Sequence, residues 1–258
     1  MKRITRGLAV LAAALAPLWA GAADYLPLPG GRFTSVLPQG AVATVASAVE
    51  IAPFAMRSAP VSVAEFAAFL AAHPEWQRGR APAIFAGPGY LAGWAGPADP
   101  GSLQGPSAVT QVSWFAARAY CESEDARLPT WLEWEYAAAA DAMRTDARAD
   151  PAWRQRILSW YESPAGAQPG AVGGPPNAYG VRDLHGLVWE WVDDYNALFI
   201  AGDSRTQGDP DLLKFCGAGA LNIIDRDSYA VLMRIALLSS LNAPDSTGSL
   251  GFRCVHGS

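Results

Sequence analysis

The chain has 258 residues, of which 51% are hydrophobic and 17% charged, with a formal net charge of −5. An acidic balance without a basic cluster argues against nucleic acid and anionic membranes as partners. The length suits one sizeable core, and no linker-like stretch divides it.

Lys2, Arg3 and Arg6 open the chain, Leu8 to Trp19 form an apolar run, and Ala20-Gly21-Ala22 offers a small-residue cleavage site. This pattern predicts a signal peptide over residues 1–22 and a mature, exported domain over 23–258. The run is shorter than the roughly 20 residues of an ordinary membrane span. An uncleaved N-terminal anchor is the alternative. No later stretch is long and uncharged enough to cross a bilayer, so the expectation is a soluble protein with no membrane contact after cleavage.

Pro27–Gly31 and Pro38–Gly40 are turn-rich. The alternating segments Phe33–Leu37 and Ala41–Val49 predict short strands. Ser62 and Glu65 form a capping box ahead of Phe66, Phe69 and Leu70, which predicts a helix ended by His73-Pro74. Residues 75–107 are rich in Gly, Pro, Trp and Tyr with little periodicity. They predict a long ordered surface segment, because Trp76, Phe85, Tyr90 and Trp94 need burial. Ser113 starts a second helix with Trp114, Ala117, Tyr120 and Cys121 at helical spacing, stopped by Arg127-Leu128-Pro129. Thr130 and Glu133 make a second capping box for a third helix that buries Trp134, Ala137 and Ala138. After Met143 the chain is polar, then apolar around Ile157–Tyr161, then a Gly/Pro loop over Pro164–Pro176. Leu184 to Val192 predict strand and turn. The last hundred residues show no strong helix cap. The whole predicts one irregular α+β domain, low in regular secondary structure.

Cys121, Cys216 and Cys254 are the only cysteines. In an exported chain they predict one disulfide and one odd thiol, and spacing alone leaves all three pairings open. No Cys-x-x-Cys or Cys/His grouping suggests zinc, and only His73, His185 and His256 are present. No Gly-x-Ser-x-Gly elbow or phosphate loop occurs.

Three stretches, Val112–Ala138, Asn177–Tyr195 and Asn242–Cys254, together resemble the formylglycine-generating enzymes, or sulfatase-modifying factors. The first fits that family's VSWxxAxxYC…RLPTxxEWEYAA pattern, and its residues are mostly scaffold. The resemblance implies an irregular fold related to the C-type lectins. The second stretch is similar to the family's GLxDMxGNVWEW core, which holds calcium. It implies calcium ligands at Asp183, the carbonyls of Gly186 and Val188, and the Glu190 carboxylate, a hard-oxygen set that suits the ion. The alternative reading is that Glu190 pairs with an arginine such as Arg253. The third stretch implies a disulfide between Cys254 and Cys121, leaving Cys216 as the odd thiol.

The family's oxidase chemistry rests on two cysteines that bind Cu(I), ahead of the final Gly-Phe-Arg-Cys. Here Asn222 and Asp227 stand at the positions expected for that pair, and no cysteine lies between Gly217 and Arg253. Cu(I) prefers thiolate or thioether ligands, which Asn and Asp are not. Cys216 with Met233 is a weak substitute copper site, set against a buried free cysteine as the plainer reading. Ala72–Trp76, the turn Cys216-Gly-Ala-Gly-Ala220, Arg226, Asp227 and Tyr229 are similar to the NirV-type branch. That resemblance implies an exported, periplasmic accessory or maturation protein acting with copper nitrite reductase in denitrification, without formylglycine-generating activity. The alternatives are a redox or copper-handling enzyme using Cys216 and a calcium-dependent lectin-like ligand-binding module.

Overall fold

A computed structural model describes residues 24–37, 48–161, 169–198 and 229–257. Its architecture is α+β, with short strands and several helices threaded by ordered loop. Strand β1 (Tyr25–Leu28) turns back through Gly30, at φ +66°, into β2 (Gly31–Thr34). Only glycine fits there, since a Cβ would lie 2.2 Å from the Ile51 carbonyl oxygen. β2 pairs antiparallel with β3 (Ala48–Ile51). β4 (Phe54–Arg57) is the middle of a three-stranded sheet, flanked by β1 and by the C-terminal β7 (Val255–His256). The turn-rich reading of Pro27–Gly31 therefore needs correcting: Pro27 lies within β1. A proline is tolerated there because β1 is an edge strand, where a missing N–H breaks no ladder. β2 is also shorter than the predicted Phe33–Leu37, because residues 36–37 bend away. Residues 41–47 of the predicted Ala41–Val49 strand lie outside the described residues.

Helix α1 (Val63–Ala72) begins at the Ser62 capping box, with both reciprocal bonds formed. Helix α2 (Trp114–Ser123) is capped by the Ser113 hydroxyl. It ends before the predicted Arg127 stop, because Asp125 takes a left-handed conformation at φ +55°. Helix α3 (Trp131–Ala138) carries the second capping box, Thr130 with Glu133.

Two helices exceed the sequence expectation. Helix α4 (Pro151–Tyr161) starts with proline at its first position, and the Asp150 carboxylate accepts the Ala152 N–H at 2.8 Å. Asp-Pro is itself a start signal: the proline lacks an N–H that the first turn would leave unpaired. Helix α5 (Tyr229–Ser239) forms in a stretch where the sequence shows no strong helix cap. It buries Ile235 and Leu238 completely. The strand and turn predicted over Leu184–Val192 are a turn at residues 184–187 followed by β5 (Trp189–Glu190), which pairs in parallel with β6 (Leu250–Gly251).

One core gathers Met56 from β4, Phe66 and Leu70 from α1, Trp131 and Trp134 from α3, Trp191, and Phe252, each at most 2% exposed. Arg57 lies at its edge. Its guanidinium is ion-paired with Glu65 of α1 and with Glu124 after α2, and the hydroxyls of Tyr25 and Tyr120 also donate to Glu124. Burial pushes both phenols far above their usual range, so they stay neutral donors. Cys121 of α2 and Cys254 form a disulfide, and both are fully buried. Tyr90 and Trp94 of the loop over 75–107 are buried as predicted, but Trp76 is only half-buried and Phe85 is 37% exposed. The aromatic content of that loop therefore does not all serve the core. Among the described residues, no helix is long and apolar enough to cross a membrane.

Candidate functional site

The Asn177–Tyr195 stretch is held on α3. The Asn177 amide donates to the Ala137 carbonyl at 2.9 Å, while its own carbonyl accepts the N–H groups of Tyr179 and Val181 at 3.0 Å. The chain then turns at Gly180 (φ +84°), Asp183 (φ +59°) and Gly186 (φ +94°). These three left-handed positions in seven residues set the path that brings Val188 and Glu190 inward, where they are 1% and 0% exposed.

Glu190 forms a fully buried pair with Arg253 of the Gly-Phe-Arg-Cys run. Its Oε1 accepts from Nη2 of Arg253 at 2.7 Å, and its Oε2 accepts from Nε at 2.8 Å. Oε2 also accepts the indole N–H of Trp134 at 2.8 Å. Arg234 of α5 lies 3.5 Å over the Trp134 ring and donates to the backbone carbonyl of Glu190. His185 sits edge-on between Trp134 and Trp153, with Nε2 2.9 Å from the Ala138 carbonyl. Burial pushes its pKa down to about 4 despite that carbonyl, so at neutral pH it is uncharged and Nε2 donates to Ala138. The Asp183 carboxylate accepts from the N–H groups of Gly173 and Gly174 at 2.6 and 3.1 Å.

The four residues proposed for calcium therefore share one short segment, but the two carboxylates share no partner. Glu190 takes the arginine pairing given above as the alternative. An ionised carboxylate has about four lone-pair sites. Three on Glu190 are engaged, which leaves one on Oε1. The Val188 carbonyl is buried, and among the described residues it accepts no hydrogen bond. Nor does the Gly186 carbonyl. Two carbonyl oxygens without donors, one buried, fit a hard cation that takes oxygen ligands. Glu190 fits only by sharing its carboxylate with Arg253.

For copper, Cys121 and Cys254 are held in the disulfide and offer no thiolate. Cys216, Asn222 and Asp227 lie outside the described residues. Met233 is on α5 and 39% exposed. Among the described residues, no group of three or more His, Cys, Asp or Glu side chains converges. Sequence reasoning singled out Glu190, Arg253 and Trp134 but missed Arg234 and His185. Arg234 sits in an uncapped apolar run, and nothing local marks it as buried.

The family profile described as "Sulfatase-modifying factor enzyme 1-like domain" matches residues 19–257. This chain belongs to that family. A formylglycine-generating enzyme of Streptomyces coelicolor is 36% identical over 168 residues, covering 57% of this chain and 52% of that protein. An inactive C-alpha-formylglycine-generating enzyme 2 of Bos taurus is 32% identical over 185 residues, covering 64% and 56%. A hercynine oxygenase of Mycobacterium tuberculosis is 32% identical over 117 residues, covering 38% and 28%. Among solved structures, PvdO of Pseudomonas aeruginosa is 20% identical, covers 91% of this chain and 94% of its own, and superposes with a TM-score of 0.49. This family member spans about half the length of the curated relatives it matches. The relatives this chain matches thus include formylglycine-generating enzymes, one named inactive, and one named a hercynine oxygenase.

Proposed function

We propose that this family member is an exported accessory protein that binds another periplasmic protein and lacks formylglycine-generating activity. The observation that carries this reading is the cysteine inventory. Two of the three cysteines are joined in a buried disulfide, and no cysteine lies between Gly217 and Arg253. A thiolate pair for Cu(I) therefore has no source in this chain. The capping boxes and the Glu190–Arg253 pair are formed among the described residues. A fold formed without oxidase thiols is suited to recognition, and the 32% identity to a relative named inactive is consistent with this. Copper nitrite reductase is the partner that the NirV-type motifs favour.

The test has two arms. The purified chain, supplied with Cu(I) and oxygen, should leave a cysteine-containing sulfatase peptide unchanged by mass spectrometry. Immobilised chain should retain copper nitrite reductase reversibly. Formylglycine in the first arm, or no binding in the second, would sink the respective half of the reading.

The same turn is proposed to hold calcium through Asp183, the Gly186 and Val188 carbonyls, and the remaining lone pair of Glu190. The buried Val188 carbonyl without a donor supports it. Calcium should raise the melting temperature of the chain, a chelator should reverse the rise, and Asp183→Asn should weaken binding about tenfold by removing charge. An unchanged melting temperature at millimolar calcium would end this proposal.

A second reading follows from the odd thiol. Cys216 lies outside the disulfide and is the one cysteine left to handle copper. Titration with Cu(I) against a competing chelator, with Cys216→Ala alongside, decides it. Tight binding lost in the variant favours copper handling, and no binding in either protein retires it.

A further inference from the structure

Three carboxylates are buried among the described residues, those of Glu133, Glu135 and Glu190. Glu133 and Glu190 each take two hydrogen bonds from one arginine. Glu135 of α3 does not. Its Oε2 accepts the Ser35 hydroxyl and the Trp131 indole N–H, and its Oε1 accepts the Val36 N–H. The cation that faces it is Arg148, whose Nη1 lies 3.7 Å from Oε1. That guanidinium is already paired with Asp146, lies 4.3 Å over the Phe33 ring, and donates from Nη1 to the Thr34 carbonyl at 2.7 Å. We propose that Glu135 is a proton-operated latch on the end of β2, held more firmly in acid and loosened as the pH rises.

The latch is the joint between α3 and residues 35–37. The Leu37 N–H donates to the Ser35 oxygen at 3.1 Å, so the two amides after Ser35 hang on one carboxylate, Val36 directly and Leu37 through the hydroxyl. Ser35 is 1% exposed and Glu135 2%. An ionised carboxyl shut away from water, with neutral donors and no arginine in contact, is disfavoured against its protonated form. Burial accordingly holds the Glu135 carboxyl above its ordinary range, against the Ser35, Val36, Arg148 and Trp131 interactions that lower it. The cluster can also receive the proton. The Val36 N–H and the Trp131 indole N–H only donate, but the Ser35 oxygen can accept, so the protonated acid donates to Ser35 and that bond reverses direction. When residues 35–37 lift away, water reaches Glu135 and its carboxyl returns to about 4.3. A closed-state value above the open-state one means that proton uptake favours closure. The contribution is complete below about 4.3 and is lost as the pH rises through the raised value.

The test is hydrogen exchange of the Val36 and Leu37 amides in the purified chain, from about pH 4 to pH 7. The exchange rate divided by the intrinsic rate gives the opening constant at each pH. It should rise with pH by up to about tenfold for each unit by which Glu135 is raised. It should also exceed the opening constant of the α1 amides of Phe66 and Leu70, which exchange with global unfolding. Glu135→Gln, which cannot ionise, should flatten the rise. Arg148→Gln removes the facing cation and should move the rise to higher pH, and it keeps the test available if Glu135→Gln does not fold. The carboxyl carbon of Glu135, followed by NMR in the parent chain, should titrate above the ordinary range. The proposal is overturned if that carbon titrates at or below about 4.3. It is equally overturned if Val36 and Leu37 open only as often as the α1 amides, if their opening is the same across the pH range, or if it rises as much in Glu135→Gln.

Discussion

Glu190 and Arg253 are both fully buried, and neither has water to fall back on. Desolvating two charges costs several kcal/mol each, so such a pair adds little net stability over apolar residues of similar volume. Breaking it is another matter, because the survivor stays buried and charged. Arg253→Leu is expected to destabilise by about 3–5 kcal/mol. Among the described residues it leaves the Glu190 carboxylate with the Trp134 indole as its one remaining side-chain donor. The double variant Glu190→Leu/Arg253→Leu should lose less than the two single variants summed. A double-mutant cycle from urea midpoints measures the difference, and additive losses would show that the two side chains act independently.

Among the elements, α3 carries the most densely bonded start. Glu133 accepts two hydrogen bonds from Arg127, at 2.6 and 2.7 Å, and one from the Thr130 N–H at 2.8 Å. Burial raises the Glu133 pKa, but these donors outweigh it and hold the carboxyl below its ordinary value. A folded-state pKa below the unfolded one means the ionised form stabilises the fold. That contribution is complete above the unfolded carboxylate value of about 4.3 and is lost as pH falls through the depressed folded value. Glu133→Gln should therefore be less stable than the parent at neutral pH, with the gap closing as the pH drops below about 4. Equal gaps at pH 7 and pH 3 would contradict it. Thr130→Ala should cost about 1 kcal/mol at neutral pH through the lost cap.

These same caps show why part of the fold was legible in the sequence. Ser62, Ser113 and Thr130 satisfy helix N–H groups within their own first turns, so the signal is local and readable. The Asp150-Pro151 start of α4 was equally local but passed over. Helix α5 offered only an apolar run, in which burial of Ile235 and Leu238 is decided by distant partners. For the site, the two carboxylates were legible as residues but not as orientations. Asp183 turns towards Gly173 and Gly174, and Glu190 towards Arg253, because of backbone turns that no local pattern announces.

At the scale of the whole molecule, the chain closes on itself. β7 pairs with β4 near the start of the domain, Val255 exchanges backbone hydrogen bonds with Arg127, and the Arg57 N–H donates to the Cys254 carbonyl. The disulfide between Cys121 and Cys254 fastens this closure across a sequence separation of 133. In the chain-entropy model, a loop of that size stabilises by about 5 kcal/mol, chiefly by restricting the unfolded chain. Cys121→Ala/Cys254→Ala should accordingly lower stability by about 2–5 kcal/mol, part of it from the lost volume at two fully buried positions. The two causes separate in urea. A smaller core lowers the midpoint at constant slope, whereas release of the unfolded chain also steepens the transition, because more surface is exposed on unfolding. A lower midpoint with a steeper slope is the expected result, and a lower midpoint at unchanged slope would assign the loss to packing. Both sulfurs are sealed in the core, so reductant should act only through global unfolding. Reduction rates should then follow the global unfolding equilibrium, and level off at the unfolding rate once reduction outpaces refolding. Reduction faster than the global unfolding equilibrium measured in urea allows would mean that the C-terminal strand opens locally, without unfolding of the rest of the domain.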